Sequence, residues 1–232
     1  MYEQPGLYNA DCMDAMKEFP DKFFDLAIVD PPYGINADMM NMGSGASKDA
    51  GQYGTAVRLR GRLNQGGGKL KDRLLNRSEI GWDNEIPPEE YFKELKRVSK
   101  NQVIWGGNYF PLPPTRCVLV WDKKQPWENF SQVELAWTSF DRPAGLFSFS
   151  NTGSGKIHPT QKPIELYSWV LRRCAKEDDK ILDTHAGSAS SLIACHRAGY
   201  EAWGFEINEE YFRMAKARLD REKAQVSMYE LI

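Results

Sequence analysis

The sequence predicts an α/β fold, a mostly parallel sheet wound on both faces by helices. Two observations carry this. Short apolar runs at 26–29, 103–105, 118–121, 181–182 and 202–205 lack the in-out alternation of a half-exposed strand, as expected of strands covered on both sides. Helix-like segments alternate with them at roughly 89–99, 163–176, 188–198 and 208–223, and such alternation favours parallel crossovers.

The last of these helices is the best signalled. Tyr211, Met214, Ala215, Arg218 and Leu219 recur at helical spacing, Asn208 is placed to cap the start, and Glu209 and Glu210 occupy the first turn. Pro163 is expected in the first turn of the helix it opens. No repeat of 20–50 residues is visible, which disfavours solenoids and propellers.

A length of 232 residues suits a single domain spanning 1–232. With 41% apolar and 27% charged residues the composition is that of an ordinary globular protein. The net charge of −2 excludes indiscriminate phosphate binding by the whole surface, so any nucleic-acid site must be local. Cys12, Cys117, Cys174 and Cys195 form no CxxC pair, which argues against structural zinc and for reduced thiols. No stretch approaches the roughly 18 apolar residues of a membrane span, and the expected location is cytoplasmic.

The first candidate site follows the strand-like run Phe24 to Val29, which ends abruptly at Asp30-Pro31-Pro32-Tyr33. Two prolines stop the strand and leave the Asp30 and Tyr33 side chains at the carboxyl end of the sheet, where open α/β folds bind ligands. A carboxylate beside a rigid carbonyl can accept both hydrogens of an amino group and favour an sp3-like nitrogen, while an aromatic ring can stack on a base drawn out of its duplex. An unremarkable strand followed by a tight proline turn would read the same way.

The second candidate is Asp183-Thr184-His185-Ala186-Gly187-Ser188, a strand end and small-residue turn before a helix. Small residues permit close backbone approach, and helix-terminal N–H groups can receive a carboxylate. Glu206 ends the next strand about twenty residues later, where an acid can accept ribose hydroxyls; Ile207 follows it. A nicotinamide site would use a similar turn, and Glu206 could equally cap the helix beginning near Asn208. Lone histidines without a nucleophile or carboxylate partner are usually structural, so His158, His185 and His196 receive no acid–base role.

Residues 39–77 stand apart. Gly-rich throughout, they carry Lys48, Arg58, Arg60, Arg62, Lys69, Lys71, Arg73 and Arg77 against Asp49 and Asp72, a net +6 in a chain of net −2. Glycine would keep such an insertion mobile, and clustered Arg and Lys can neutralise phosphates as it orders on a nucleic acid. A solvated surface insertion would have the same composition.

With these residues on the page, the chain resembles the DNA amino-methyltransferases that make N6-methyladenine or N4-methylcytosine, in the order of the beta class, where the catalytic segment precedes the cofactor segment. Asp30 to Tyr33 matches the catalytic motif in the form nearer the adenine enzymes. His158 to Pro163, Asp183 to Ser191 and Gly204 to Leu219 match three further motifs, and Asp11 and Cys12 fall where the family contacts the cofactor adenine. The resemblance implies a Rossmann-like S-adenosylmethionine-dependent methyltransferase fold and methyl transfer to N6 of an extruded adenine in DNA, without metal. It implies Asp30, Pro31, Pro32 and Tyr33 as catalytic residues. It implies Asp11, Cys12, Asp30, Lys162, Asp183, His185, Ala186, Gly187, Ser188, Glu206 and Ile207 around S-adenosylmethionine, while the charge of the glycine-rich insertion, apart from the resemblance, assigns Arg58, Arg60, Arg62, Lys69, Lys71 and Arg73 to DNA. A homodimer and a restriction-modification setting are expected on the same ground.

Two departures stand out. Thr184, His185 and Ala189 replace the family's Pro, Phe and second Gly, which leaves a catalytically inert nucleic-acid-binding protein as an alternative of another class. A minimal target-recognition region is confined to about 141–157. Cytosine N4 is the nearest alternative target. RNA and protein glutamine are more distant ones, the latter because Asn rather than Asp would then open the catalytic turn.

Overall fold

The computed structural model describes residues 2–35, 83, 85–125, 131–151, 156–158 and 160–225. Strands β1 (Gly6–Tyr8), β2 (Phe24–Val29), β3 (Ser99–Trp105), β4 (Leu119–Asp122), β5 (Val133–Thr138), β6 (Gly145–Ser148), β7 (Ile181–Asp183) and β8 (Ala202–Phe205) form one sheet in the order β1-β8-β7-β2-β3-β5-β4-β6. Every pairing is parallel except those of β5 with β3 and β4. The mostly parallel α/β sheet expected from the sequence is therefore present.

Helices α1 (Cys12–Lys17), α2 (Glu89–Val98), α3 (Ile164–Cys174), α4 (Ser190–Arg197) and α5 (Glu209–Ala224) cover the faces. The central strand β2 shows why its apolar run is continuous. Leu26 and Ile28 join a core with Val103, Trp105, Leu166 and Val170, whereas Ala27 and Val29 join another with Met16, Tyr91, Leu95 and Phe205. Burial on both sides removes any selection for polar residues at alternate positions. A third cluster seats α5 through Ala215 and Leu219 against Leu7, Leu192 and Ile193.

Caps explain most boundaries. Asn208 Oδ1 accepts the N–H groups of Glu210 and Tyr211, both at 3.0 Å, so the predicted cap of α5 is real. Pro163 sits one residue earlier than expected, at the N-cap of α3 and not inside its first turn. Of the expected recognition region 141–157, Gly145–Ser148 is edge strand β6, parallel to β4; residues 152–155 lie outside the described residues, as does the whole of the expected basic insertion 39–77.

Because β2 connects towards β3 and β7 towards β8, the sheet changes winding direction between the adjacent strands β2 and β7. In an open parallel sheet this switch point opens a crevice at the carboxyl ends. Asp30, Asp183 and Glu206 immediately follow or end β2, β7 and β8 there. No helix among the described residues is long and apolar enough to cross a membrane.

Candidate active site

The turn after β2 is held from three directions. Asp83, almost fully buried, accepts the Tyr33 N–H at 2.6 Å and the Gly34 N–H at 3.1 Å. The Tyr33 hydroxyl donates to Asp30 Oδ1 at 2.5 Å, and Lys162 Nζ donates to Asp30 Oδ2 at 2.5 Å and to the Tyr33 hydroxyl at 3.1 Å. The Tyr33 ring lies parallel to Tyr109, with centroids 5.1 Å apart, and meets Phe110 edge-on. Gly106, at φ +69°, passes so close beneath this ring that any Cβ would overlap it.

Lys162 enters from the segment preceding α3, and its ammonium is the hub of the site. Besides Asp30 and Tyr33 it reaches Glu134 Oε2 on β5 at 3.0 Å, and it lies over the Trp105 ring at 5.7 Å. Burial pushes the Lys162 ammonium towards neutrality, but the two carboxylates outweigh this and hold it above its ordinary value. Burial dominates at Asp30 and lifts its carboxyl above the usual range, against the pull of Lys162. Lys162 is thus fastened to the Asp30 turn as well as lining the adjoining cavity.

That cavity, about 450 Å3, is bordered by Asp30 and Pro32 on one side and by His185, Ala186, Gly187, Ser188, Glu206 and Ile207 on the other. The sequence-predicted catalytic and cofactor segments, some 150 residues apart, thus open into one space. Gly187, at φ +50°, leaves room at the turn: a Cβ there would come only to 3.8 Å from the His158 ring. Glu206 Oε2 accepts the Gly187 N–H and Oε1 accepts the Asn208 N–H, each at 2.9 Å. Glu206 therefore spans both readings given to it, bordering the cavity while bracing the helix start.

Asp11, Cys12 and Asp183 do not line this cavity. Asp11 caps α1, its Oδ1 accepting from Met13 N at 2.7 Å and Asp14 N at 3.3 Å. Asp183 is buried behind the turn, taking the Ser191 hydroxyl and the His185 N–H. Burial, the largest influence, pushes its carboxyl up to about 7. His185 and His158 are held down to about 4 by burial and are neutral near pH 7. His158 packs edge-on against Tyr211 and also lines the cavity. Pro31 is part of the turn but not of the cavity wall.

The departures Thr184 and His185 form a polar substitute for an apolar wall. Thr184 Oγ1 is 2.6 Å from the Tyr91 hydroxyl and 2.9 Å from His185 Nδ1. Ala189 takes φ +58° as the N-cap of α4, a left-handed geometry that favours glycine. Arg218 fastens the far side of the turn through Ser188 O at 2.7 Å and Ser190 Oγ at 2.9 Å. The six proposed DNA-contacting residues Arg58, Arg60, Arg62, Lys69, Lys71 and Arg73 lie outside the described residues.

Sequence reasoning missed Asp83, Glu134, Gly106, Tyr109 and Arg218. Arg218 enters the sequence reading only through its helical spacing, and Glu134 lies on β5, which no apolar run marks. The others act through contacts that no local pattern encodes.

With this geometry in view, residues 115–217 match the sequence profile of the DNA methylase family. The type II methyltransferase M2.LlaDCHI of Lactococcus lactis subsp. cremoris is 26% identical over 94% of the chain and 90% of its own length. Over these residues the chain is similar to DNA methylases. Among solved structures the chain is similar in fold to M1.HpyAVI in complex with SAM, with TM-score 0.53 and 18% identity over 92% of the chain and 98% of that one. It is also similar to the cytosine-N4-specific PvuII DNA methyltransferase, with TM-score 0.56 and 14% identity over 99% and 90%. Among the described residues, no group of three or more His, Cys, Asp or Glu side chains is arranged to hold a metal ion.

Proposed function

We propose that the chain transfers a methyl group from S-adenosylmethionine to N6 of an adenine extruded from DNA. The observation that carries this reading is the placement of the Asp30 turn and the Gly187–Glu206 turn on one cavity at the switch point of the sheet. The residues fit the cofactor: the volume is that of a nucleoside-sized site, the backbone at Gly187 is open, and Glu206 stands at the strand end suited to ribose. When bound, the cofactor supplies an electrophilic methyl group on a sulfonium.

The chain's own residues supply position and charge. Asp30 accepts one hydrogen bond on each oxygen, which leaves each oxygen a lone pair for an amino hydrogen. The carbonyl of the rigid Pro31-Pro32 pair provides the second acceptor. With both hydrogens held, the nitrogen lone pair is released from the ring towards the methyl group. The nitrogen then sheds a proton, for which Asp30, its affinity raised by burial, is the nearest base. Gly187, Glu206 and His185 wall the cofactor side, and the basic segment 39–77 is assigned to the DNA backbone on its charge.

Tritiated-methyl transfer to unmethylated DNA tests the proposal. The wild type should incorporate label. Asp30→Ala should retain cofactor binding by calorimetry yet lose at least about 1,000-fold in rate, since it removes positioning and charge together. Absence of cofactor binding by the wild type would leave the inert nucleic-acid-binding alternative. The same amino chemistry serves cytosine N4, a second reading favoured by the fold likeness to the PvuII enzyme. Nucleoside digestion of the labelled DNA separates the two.

A further inference from the structure

The catalytic turn is the inner end of a chain of alternating charge that crosses the sheet. Lys123, just past the end of β4, pairs with Glu134 Oε1 at 2.5 Å; Glu134 Oε2 pairs with Lys162 at 3.0 Å; Lys162 pairs with Asp30 at 2.5 Å. Lys162 is its most buried member: the side chains of Lys123 and Glu134 retain 19% and 20% exposure, that of Lys162 only 3% and that of Asp30 16%. Glu134 lies directly opposite Trp121 in the antiparallel β4–β5 pair, so two strands fix its backbone.

A buried ammonium with one carboxylate would be drawn wholly to that partner. With two, and with the Trp105 and Tyr33 rings beneath it, it is shared between them. We propose that Glu134 is a positioning residue for methyl transfer, clamping the Lys162 ammonium so that Asp30 and Tyr33 keep the orientation and charge that the reaction uses. Glu134 borders neither Gly187 nor Glu206, is absent from the cavity wall, and acts only through Lys162. This inference rests on the methyl-transfer reading above.

The groups that face Asp30 are Lys162, Glu134 and Tyr33, with Asp183, Tyr91 and Tyr167 acting at longer range. Those on Lys162 are Asp30 and Glu134, and His158 senses its charge. Neutralising Glu134 removes a negative charge from both neighbours. The Asp30 carboxyl then ionises more readily, and the Lys162 ammonium releases its proton more readily, so both titrations move to lower pH.

In Glu134→Gln, the acid and alkaline limbs of the kcat–pH profile should both move down by roughly one unit. kcat at neutral pH should fall about tenfold while KM for the cofactor holds, as for an interaction made only in the transition state. Glu134→Asp keeps the charge and should restore the wild-type limbs. A structural role alone would lower activity evenly and leave the limbs in place, so a superimposable, merely scaled profile overturns the proposal. Proton-detected 15N spectra of the lysine ammonium groups provide a readout that needs no turnover. The Lys162 signal should persist to higher pH in the wild type than in Glu134→Gln, and an unchanged titration overturns the clamp. An inactive wild type with a shifted Lys162 signal would remove the methyl-transfer reading and sustain the Glu134–Lys162 clamp as a contact, while overturning its catalytic role.

Discussion

Ala189 holds a left-handed backbone at the start of α4, the position where the family motif has glycine. Its methyl group makes that conformation cost about 1 kcal/mol, partly offset by the smaller entropy an alanine loses on folding. Ala189→Gly should therefore leave stability between unchanged and about 1 kcal/mol higher in urea unfolding, with the Gly187 turn intact. A clear loss of stability would mean that the alanine is favoured at its site. The neighbouring departures behave differently. Thr184 is hydrogen-bonded to the Tyr91 hydroxyl and the His185 ring, and the His185 N–H donates to the Asp183 carboxylate, so the chain compensates for the missing Pro and Phe with polar pairing. The altered glycine motif thus mixes one strained substitution with two satisfied ones, a distinction invisible when the motif is read as letters.

Elements, in turn, decide how the Asp30 turn is held. The turn after β3 passes under Tyr33 at Gly106, and the short 3-10 turn Gly107–Tyr109 brings Tyr109 onto the same ring. Gly106→Ala adds a methyl group into that ring at a positive φ, and should cost at least about 2 kcal/mol of stability while displacing Tyr33. Methyl transfer should fall more than cofactor affinity; equal activity with normal stability would show that the ring moves aside freely. The basic segment is an element of another kind. Substituting Arg58, Arg60 and Arg62 together by Ala should weaken DNA binding and reduce the slope of log affinity against log salt by roughly three. An unchanged salt slope would remove the DNA assignment.

Over the whole molecule, buried ionisable groups set opposing responses to acid. Asp183, raised to about 7, binds its proton more tightly when folded; it adds stability at low pH that is lost as pH rises from about 4 to 7. His158 and His185, depressed to about 4, do the reverse and cost stability as pH falls from about 6.5 to 4. The histidines are common to wild type and Asp183→Asn and cancel in their difference. The wild type should therefore gain stability relative to Asp183→Asn as pH falls from 7 to about 4.5, measured by urea unfolding; a difference independent of pH would show that Asp183 remains ionised throughout.

The sheet class, the buried strands β2, β3, β4, β7 and β8, and helices α2 to α5 were legible because period, cap and apolar run are properties of neighbouring residues. Strands β1, β5 and β6 and helix α1 were not, being short or broken by polar residues. Within the site, Asp30 and the Gly187–Glu206 segments stood out because a proline stop and a small-residue turn are local chemistry. Tertiary structure alone decided their meeting in one cavity, the use of Asp11 and Asp183 as braces, and the capture of Lys162 between Asp30 and Glu134. Strand order and ion pairing across the sheet join residues distant in the chain, and the free energy of such contacts depends on burial and geometry that no stretch of sequence contains.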